Sequence, residues 1–155
     1  MQASVKEQES RSFHLEIFVE GKLDADIISA ILDAKELGDN VSFIPCSGKM
    51  SAIRMASSLP KHIGAERVLI LDSDGNPNQE SELSNLPLVD ESIAIDPEIE
   101  ALFYPDSDEP RRDFKTSARR ARQSPVDHAR SLFGDLFKTD PQDFVSRLVK
   151  IAGNK

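Results

Sequence analysis

Apolar residues in the first half of the chain follow two alternating spacings, one typical of strands and one typical of helices. Short apolar runs at 13–19, 41–45 and 67–71 predict three buried strands. Between them, the segments 23–37 and 49–59 carry apolar residues every three or four positions and predict two helices. This alternation with short connections is typical of an α/β fold, in which helices cover both faces of a parallel sheet.

Helical spacing dominates the second half of the chain. A polar loop at 75–87 and a short strand at 92–95 come first, and Asp96 followed by Pro97 predicts the start of a short helix with the aspartate as its cap. The segment 105–112 contains two prolines and is predicted to be a linker. Beyond it, helices are predicted at 113–122, 125–137 and 141–151, the last with Asp140 as its cap.

The composition fits a globular domain with a core of its own. The chain has 155 residues, of which 39% are hydrophobic and 30% are charged. We expect a disordered lead-in at 1–12, an α/β domain at 13–104, and a basic helical extension at 105–155 that packs on the same domain. No apolar run is long enough to cross a bilayer, the first residues lack the apolar segment of a secretory signal, and Cys46 has no disulfide partner. We therefore expect a cytoplasmic protein that is not attached to a membrane.

Carboxylates follow two of the predicted strands where those strands end. Glu20 comes directly after the first strand, Asp24 lies one helical turn further on, and Asp72 and Asp74 follow the third strand. In an extended chain, the last two side chains would point to the same side. Oxygen ligands suit Mg²⁺ or Mn²⁺ better than zinc. The pattern predicts a site for these ions at one edge of the sheet, and the alternative is an ordinary polar turn after the third strand.

Charge is distributed unevenly along the chain, whose formal net charge is −8. Positions 111–155 contain 11 Lys and Arg against 5 Asp and Glu, a net of +6, and the 110 preceding positions contain 8 against 22, a net of −14. This asymmetry can direct a polyanion towards one face. The cations expected to bind a nucleic-acid backbone are Arg111, Arg112, Lys115, Arg119, Arg120, Arg122, and Lys49 of a Gly-Lys pair that precedes a helix. A solvated helix face is the alternative for the cluster, and an ordinary turn is the alternative for the Gly-Lys pair.

The carboxylate motifs resemble those of the TOPRIM domain of topoisomerases, primases and OLD (overcoming lysogenization defect) nucleases. The resemblance rests on Glu20-Gly21 after one apolar strand and Asp72-x-Asp74 after another, and it covers 13–103. The details closest to the OLD branch are Glu20-Gly21-x-x-Asp24, Cys46-Ser47-Gly48-Lys49 before the second helix, and Ile99-Glu100 after the fourth strand. The resemblance implies a Rossmann-like TOPRIM domain with a mostly parallel four-stranded sheet flanked by helices.

The same resemblance implies an activity and a set of site residues. The implied ligands of two Mg²⁺ or Mn²⁺ ions are Glu20, Asp24, Asp72, Asp74 and Glu100, and the implied catalytic residues are Glu20, Asp72, Asp74 and Lys115. Lys115 would neutralise charge in the transition state. The expected activity is metal-dependent cleavage of phosphodiester bonds in nucleic acid, DNA rather than RNA. OLD nucleases usually carry an ATPase domain ahead of the TOPRIM domain. Because hardly a dozen residues precede the first strand here, we expect a protein that acts alone or works with a separate ATPase subunit in a defence or repair complex.

Two other functions stay open at this stage. The chain could be a non-catalytic TOPRIM subunit that binds metal and nucleic acid within a larger complex. The run 68–75 also resembles the first motif of haloacid-dehalogenase-type phosphatases, in which Asp72 would be the nucleophile and Asp74 the general acid. The phosphatase alternative leaves Glu20 and Asp24 unexplained. Whether the chain forms homo-oligomers is also open.

Overall fold

Four strands form the centre of the computed structural model, which describes residues 14–153. The strands are β1 (His14–Val19), β2 (Val41–Pro45), β3 (Ala65–Asp72) and β4 (Glu91–Ile95), and they lie in the order β2-β1-β3-β4. Every neighbouring pair is parallel. The predicted α/β class with a four-stranded parallel sheet is therefore confirmed. The expected lead-in at 1–12 and the predicted strand start at Phe13 lie outside the described residues.

Helices connect the strands and follow the last of them. Within the described residues they are α1 (Lys22–Ala34), α2 (Lys49–Ser58), α3 (Gln79–Glu82), α4 (Pro110–Arg120), α5 (Pro125–Ser131), α6 (Phe133–Thr139) and α7 (Phe144–Gly153), with a 3-10 helix at Ile99–Leu102. None of the helices between residues 14 and 153 combines the length and the apolarity that a bilayer span requires.

The core has two layers because successive strand residues point to opposite faces of the sheet. One face packs against α1 and the C-terminal helices, and its buried residues include Leu15, Ile17, Val68, Ile28, Phe114, Phe133, Phe144 and Leu148. The other face packs against α2 and α3, with Phe18, Leu69, Leu71, Ala52, Ala56 and Leu83 buried there. Helices α4 to α7 thus share a core with the sheet, which holds α4 beside the carboxyl ends of the strands.

A buried ion pair joins β1 to β3. Glu16 lies opposite Arg67 in the parallel register, and the Arg67 Nε donates to Glu16 Oε1 over 2.9 Å. The remaining guanidinium nitrogens donate to the carbonyl oxygens of Ala56, Leu59 and Pro60. Arg67 is only 1% exposed, so these bonds compensate for the lost hydration of its charge.

Several helix boundaries differ from the predictions. Helix α4 begins at Pro110, inside the predicted linker, because proline is favoured at the first helical position, where its missing N–H is not needed. A short helix, α3, interrupts the predicted loop at 75–87. The predicted helix 125–137 is two helices, α5 and α6, which meet at Leu132.

Of the two aspartates predicted to cap helices, Asp140 caps one and Asp96 does not. Asp96 does not cap a helix; its carboxylate accepts a hydrogen bond from the Ser73 hydroxyl, and the 3-10 helix begins later, at Ile99. Asp140 does cap α7 although that helix begins at Phe144 rather than 141. Its two carboxylate oxygens accept from the backbone N–H groups of Val145 and Ser146, which have no partner within the first turn of a helix.

Candidate functional site

The ends of β1 and β3 bring two carboxylates together. Glu20 directly follows β1, and Asp72 is the last residue of β3, the neighbouring strand. The Glu20 Oε2 accepts a hydrogen bond of 2.8 Å from the backbone N–H of Asp72. The Asp72 Oδ1 in turn accepts from the backbone N–H of Ile99 over 2.9 Å. Both side chains are therefore held at the carboxyl edge of the sheet, where parallel α/β folds bind ligands.

Asp24 joins this group from the first turn of α1. Its Oδ2 accepts from the backbone N–H of Gly21 over 3.1 Å, so the side chain turns back towards the end of β1. Burial raises the pKa of Asp24 from 3.8 to about 6, and the charges of Glu20 and Glu100 add to this effect.

Burial and the neighbouring carboxylates raise the pKa of Asp72 further than that of Asp24. Burial raises the pKa of Asp72 from 3.8 to about 8, with further contributions from the charges of Asp24, Glu20 and Glu100. The pKa of Glu100, in the 3-10 helix, is raised mainly by burial. One Glu100 oxygen, Oε1, is buried and finds no hydrogen-bond donor among residues 14–153. We define Glu20, Asp24, Asp72 and Glu100 as the acidic cluster.

Arg111, near the start of α4, provides the counter-charge to the acidic cluster. Its Nη2 lies 3.0 Å from Glu98 Oε2 and 3.6 Å from Asp72 Oδ2, and its Nε lies 3.7 Å from Glu100 Oε2. Arg111 was predicted to contact nucleic acid. The structure places its guanidinium among these carboxylates, where it offsets part of their mutual repulsion; its contact with nucleic acid stays a prediction.

Asp74 lies beside the acidic cluster rather than within it. The strand ends at Asp72, and Asp74 has a left-handed backbone with φ of 53°, so the expected extended geometry, with both aspartates on one side, is not found. The Asp74 side chain is 55% exposed and accepts a hydrogen bond of 2.8 Å from Lys49 Nζ at the start of α2. Lys49 also donates to Gln79, so this predicted phosphate ligand is engaged within the protein.

The acidic cluster suits a hard divalent cation by its chemistry, although it is not a preformed cage. Among residues 14–153, no three His, Cys, Asp or Glu side chains converge closely enough to hold an ion. The donors, however, are all carboxylate oxygens, one of them is an unpartnered buried atom, and burial raises the pKa of Asp24, Asp72 and Glu100. A bound cation would satisfy that oxygen and offset the repulsion between the carboxylates.

A groove lies along α4, and Arg111, which contacts Asp72 and Glu100 of the acidic cluster, is one of its lining residues. It has a volume of about 800 Å³ and lies between α4 and the loops that follow β3 and β4. Its lining residues are Asp74, Gly75, Pro97, Glu98, Asp108, Glu109, Pro110, Arg111, Arg112, Lys115, Thr116 and Arg119. Four of the predicted nucleic-acid contacts therefore line one groove. Arg120 and Arg122 are exposed but do not line it.

The structure adds Glu98, which the motifs did not single out. It pairs with Arg111 through the side chain and accepts from the Arg111 backbone N–H over 3.0 Å, which fixes the start of α4 beside the acidic cluster. The signal was available in the sequence, because Glu98 lies two residues before Glu100 in the same short segment. Arg111, by contrast, is more than thirty residues from Asp72, and only the tertiary structure shows that the two meet.

Comparisons with models of protein families, with curated proteins and with solved structures returned no match. The class that the coordinates define is therefore an α/β protein with a parallel sheet and an acidic cluster at its carboxyl edge. The function has to be argued from this site.

Proposed function

We propose that this protein is a TOPRIM-type nuclease that cleaves phosphodiester bonds in nucleic acid and depends on Mg²⁺ or Mn²⁺. The observation that supports the proposal is that four carboxylates from three separate parts of the chain lie near one another at the ends of β1 and β3, close enough for their charges to interact. Folding keeps them close although their repulsion and burial raise the pKa of Asp72 to about 8. Functional sites are where such unfavourable arrangements are retained.

The proposal assigns the parts of the reaction to particular residues. Glu20, Asp24, Asp72 and Glu100 would hold the divalent ions, with Asp74 beside them. When bound, such ions supply positive charge that activates water and stabilises the developing charge on phosphate. Lys115 extends this positive field from α4, because it lines the groove and its charge lowers the pKa of Glu100 against the effect of burial. Lys115 would bind the phosphate and offset its charge in the transition state.

The direct test is cleavage of supercoiled plasmid and of circular single-stranded DNA with Mg²⁺ or Mn²⁺, with and without EDTA. Asp72→Asn and Glu20→Gln should abolish cleavage, because each removes a charged ligand while keeping a hydrogen-bonding oxygen. Asp39→Asn, in an exposed turn before β2, is the matched control and should cleave normally. Cleavage that survives in both site variants would indicate a contaminating nuclease, and absence of cleavage of DNA and RNA with every metal would overturn the proposal.

A second candidate is a non-catalytic nucleic-acid-binding subunit of a larger complex. It is favoured by two ion pairs within the protein. Lys49 pairs with Asp74 and Arg111 pairs with Asp72, so these carboxylates already have a counter-charge without a metal ion. Isothermal titration separates the two candidates. The nuclease proposal requires heat of binding for Mn²⁺ that disappears in Asp72→Asn, whereas the second candidate is supported if nucleic acid binds and Mn²⁺ does not.

The phosphatase alternative has less support in the geometry. It requires an ionised Asp72 to attack a phosphorus atom. The Asp72 side chain is only 11% exposed, its Oδ1 accepts from Ile99, and burial raises its pKa. Turnover of a generic phosphomonoester that Glu20→Gln leaves intact would support this alternative instead.

A further inference from the structure

The lining cations of the groove form a row along one helix. Arg111, Lys115 and Arg119 are four residues apart on α4, and all three line the groove. Residues at this spacing lie on the same helix face, and each step advances about 6 Å along the axis. The row begins at the acidic cluster, where Arg111 lies, and leads away from it.

The pairing of these side chains decides which of them can bind a ligand. Arg111 is engaged by Glu98, and Arg112 is paired with Glu109. Lys115 and Arg119 form no ion pair with any of residues 14–153. The positive charge available to a ligand in the groove is therefore concentrated on these two side chains.

From this arrangement, we propose that the groove accepts one strand of nucleic acid rather than a duplex, with Lys115 and Arg119 contacting neighbouring phosphates of that strand. The inference rests on the proposed function, because it names the form of the substrate that enters the same site. The strand would run along α4, with the phosphate at Lys115 being the one nearest the acidic cluster beside Arg111.

Charge density favours a single strand. A duplex carries about one negative charge per 1.7 Å of axis, whereas one strand carries about one per 3.4 Å. Two available cations about 6 Å apart can serve one row of phosphates and leave a second row without partners. Carboxylates also line the groove, among them Glu98 and Asp108, and they would repel a second row of phosphates that has no cation of its own.

The size and lining of the groove agree with this proposal. Its volume of about 800 Å³ is in the range of pockets for small ligands, about 300–1,000 Å³, which suits a few nucleotides and not the width of a duplex. Among residues 14–153, no aromatic side chain lines it, and the one aromatic residue of α4, Phe114, is buried in the core. Binding should therefore depend on the backbone and be insensitive to base sequence.

The test measures binding without cleavage, by fluorescence anisotropy in EDTA at several NaCl concentrations. The probes are a labelled 12-nucleotide DNA of mixed sequence, the matching RNA, and the DNA duplex of the same length. Both single strands should bind more tightly than the duplex. The double variant Lys115→Ala with Arg119→Ala removes two phosphate contacts, which should reduce the salt slope of single-strand binding by about 1.4 and lower its affinity roughly twentyfold at 0.1 M NaCl.

A matched control separates this effect from a general loss of charge. Arg130→Ala with Lys138→Ala removes two exposed cations from α5 and α6, which do not line the groove, and should leave the single-strand affinity and salt slope unchanged. Restoration of binding by Lys115→Arg with Arg119→Lys would further support the contact. Equal or tighter binding of the duplex, an equal loss in the control, or no binding of any probe would overturn the inference. If single strands bind as expected and no cleavage occurs, the nuclease proposal fails while this inference stands.

Discussion

Replacing Asp72 with asparagine should stabilise the metal-free protein at alkaline pH. Burial and the neighbouring carboxylates raise the pKa of Asp72 from 3.8 to about 8 in the folded chain. Between these two pH values the folded state binds more protons than the unfolded state, so the free energy of unfolding falls as pH rises. Asparagine carries no charge at any pH, and its oxygen can still accept from Ile99. The Asp72→Asn variant should therefore lose this part of the pH dependence.

The structure sets the size of the effect. A tenfold change in an acid constant corresponds to about 1.4 kcal/mol, so a pKa moved from 3.8 to about 8 implies an upper bound of about 6 kcal/mol. Arg111 lies 3.6 Å from the carboxylate, which is 11% exposed, and both the counter-charge and the solvent reduce the loss. We expect a decrease of about 2 kcal/mol between pH 6.5 and pH 9. Asp24 is mostly ionised above its pKa of about 6, so Asp24 contributes little to the change over this interval.

The assay is urea denaturation in EDTA at pH 6.5, 7.5 and 9 for the wild type, Asp72→Asn and the control Asp39→Asn. The wild type and the control should lose stability over this interval, and Asp72→Asn should lose much less. A wild-type stability that is flat from pH 6.5 to 9, or a slope that Asp72→Asn leaves unchanged, would refute the argument that the acidic cluster is strained.

Addition of Mg²⁺ should reverse the order of stability. A ligand at 100 times its dissociation constant adds about 2.7 kcal/mol, and at about 2–4 °C per kcal/mol for a chain of this size the wild-type Tm should rise by roughly 5–10 °C. Asp72→Asn should show little rise because it lacks a ligand. An equal rise in the variant and the wild type would show that Mg²⁺ binds elsewhere.

Three further predictions, based on five substitutions, concern the stability of the fold and are each measured by chemical denaturation. Arg67→Met should lower the free energy of unfolding by about 3–5 kcal/mol because it leaves Glu16 buried and unpaired, whereas Glu16→Gln should cost less because its amide oxygen still accepts from Arg67; equal losses would contradict this. Gly48→Ala should lower the free energy of unfolding by about 1–3 kcal/mol, because the backbone at Gly48 has φ of 119° and ψ of 165°, a region almost confined to glycine. An unchanged free energy of unfolding would contradict this explanation. Asp140→Ala should cost about 1 kcal/mol through loss of the α7 cap, with Asp140→Asn close to the wild type; a similar loss in both would exclude capping as the cause.

The spacing of apolar residues was sufficient to predict the strands of the sheet and the strand ends that carry the acidic residues of the site. Period-two and helical spacings predicted four strands and the order of elements because apolar side chains must alternate in a strand and repeat every third or fourth position in a helix. The rule that parallel strands end at one edge led to the expectation that Glu20 and Asp72 would be neighbours. Helix starts were predicted less well. Asp96 is engaged by the hydroxyl of Ser73, which is distant in sequence, and α4 begins at Pro110 because proline is favoured at the first helical position.

Tertiary structure alone decided how the charges of the site are paired. Nothing in the spacing of residues indicates that Arg111 meets Asp72, that Lys49 engages Asp74, or that Lys115 and Arg119 stay available for a ligand. The pairing of Lys49 depends on how α2 packs beside the end of β3. The environment of the three α4 cations depends on how α4 packs beside the sheet, and that packing arises from apolar contacts such as those of Phe114 in the shared core. The sequence by itself determined which residues could carry charge at the edge of the sheet. Their partners were decided by distance and burial, because electrostatic energy depends on the separation and the solvent exposure of charges in the folded chain.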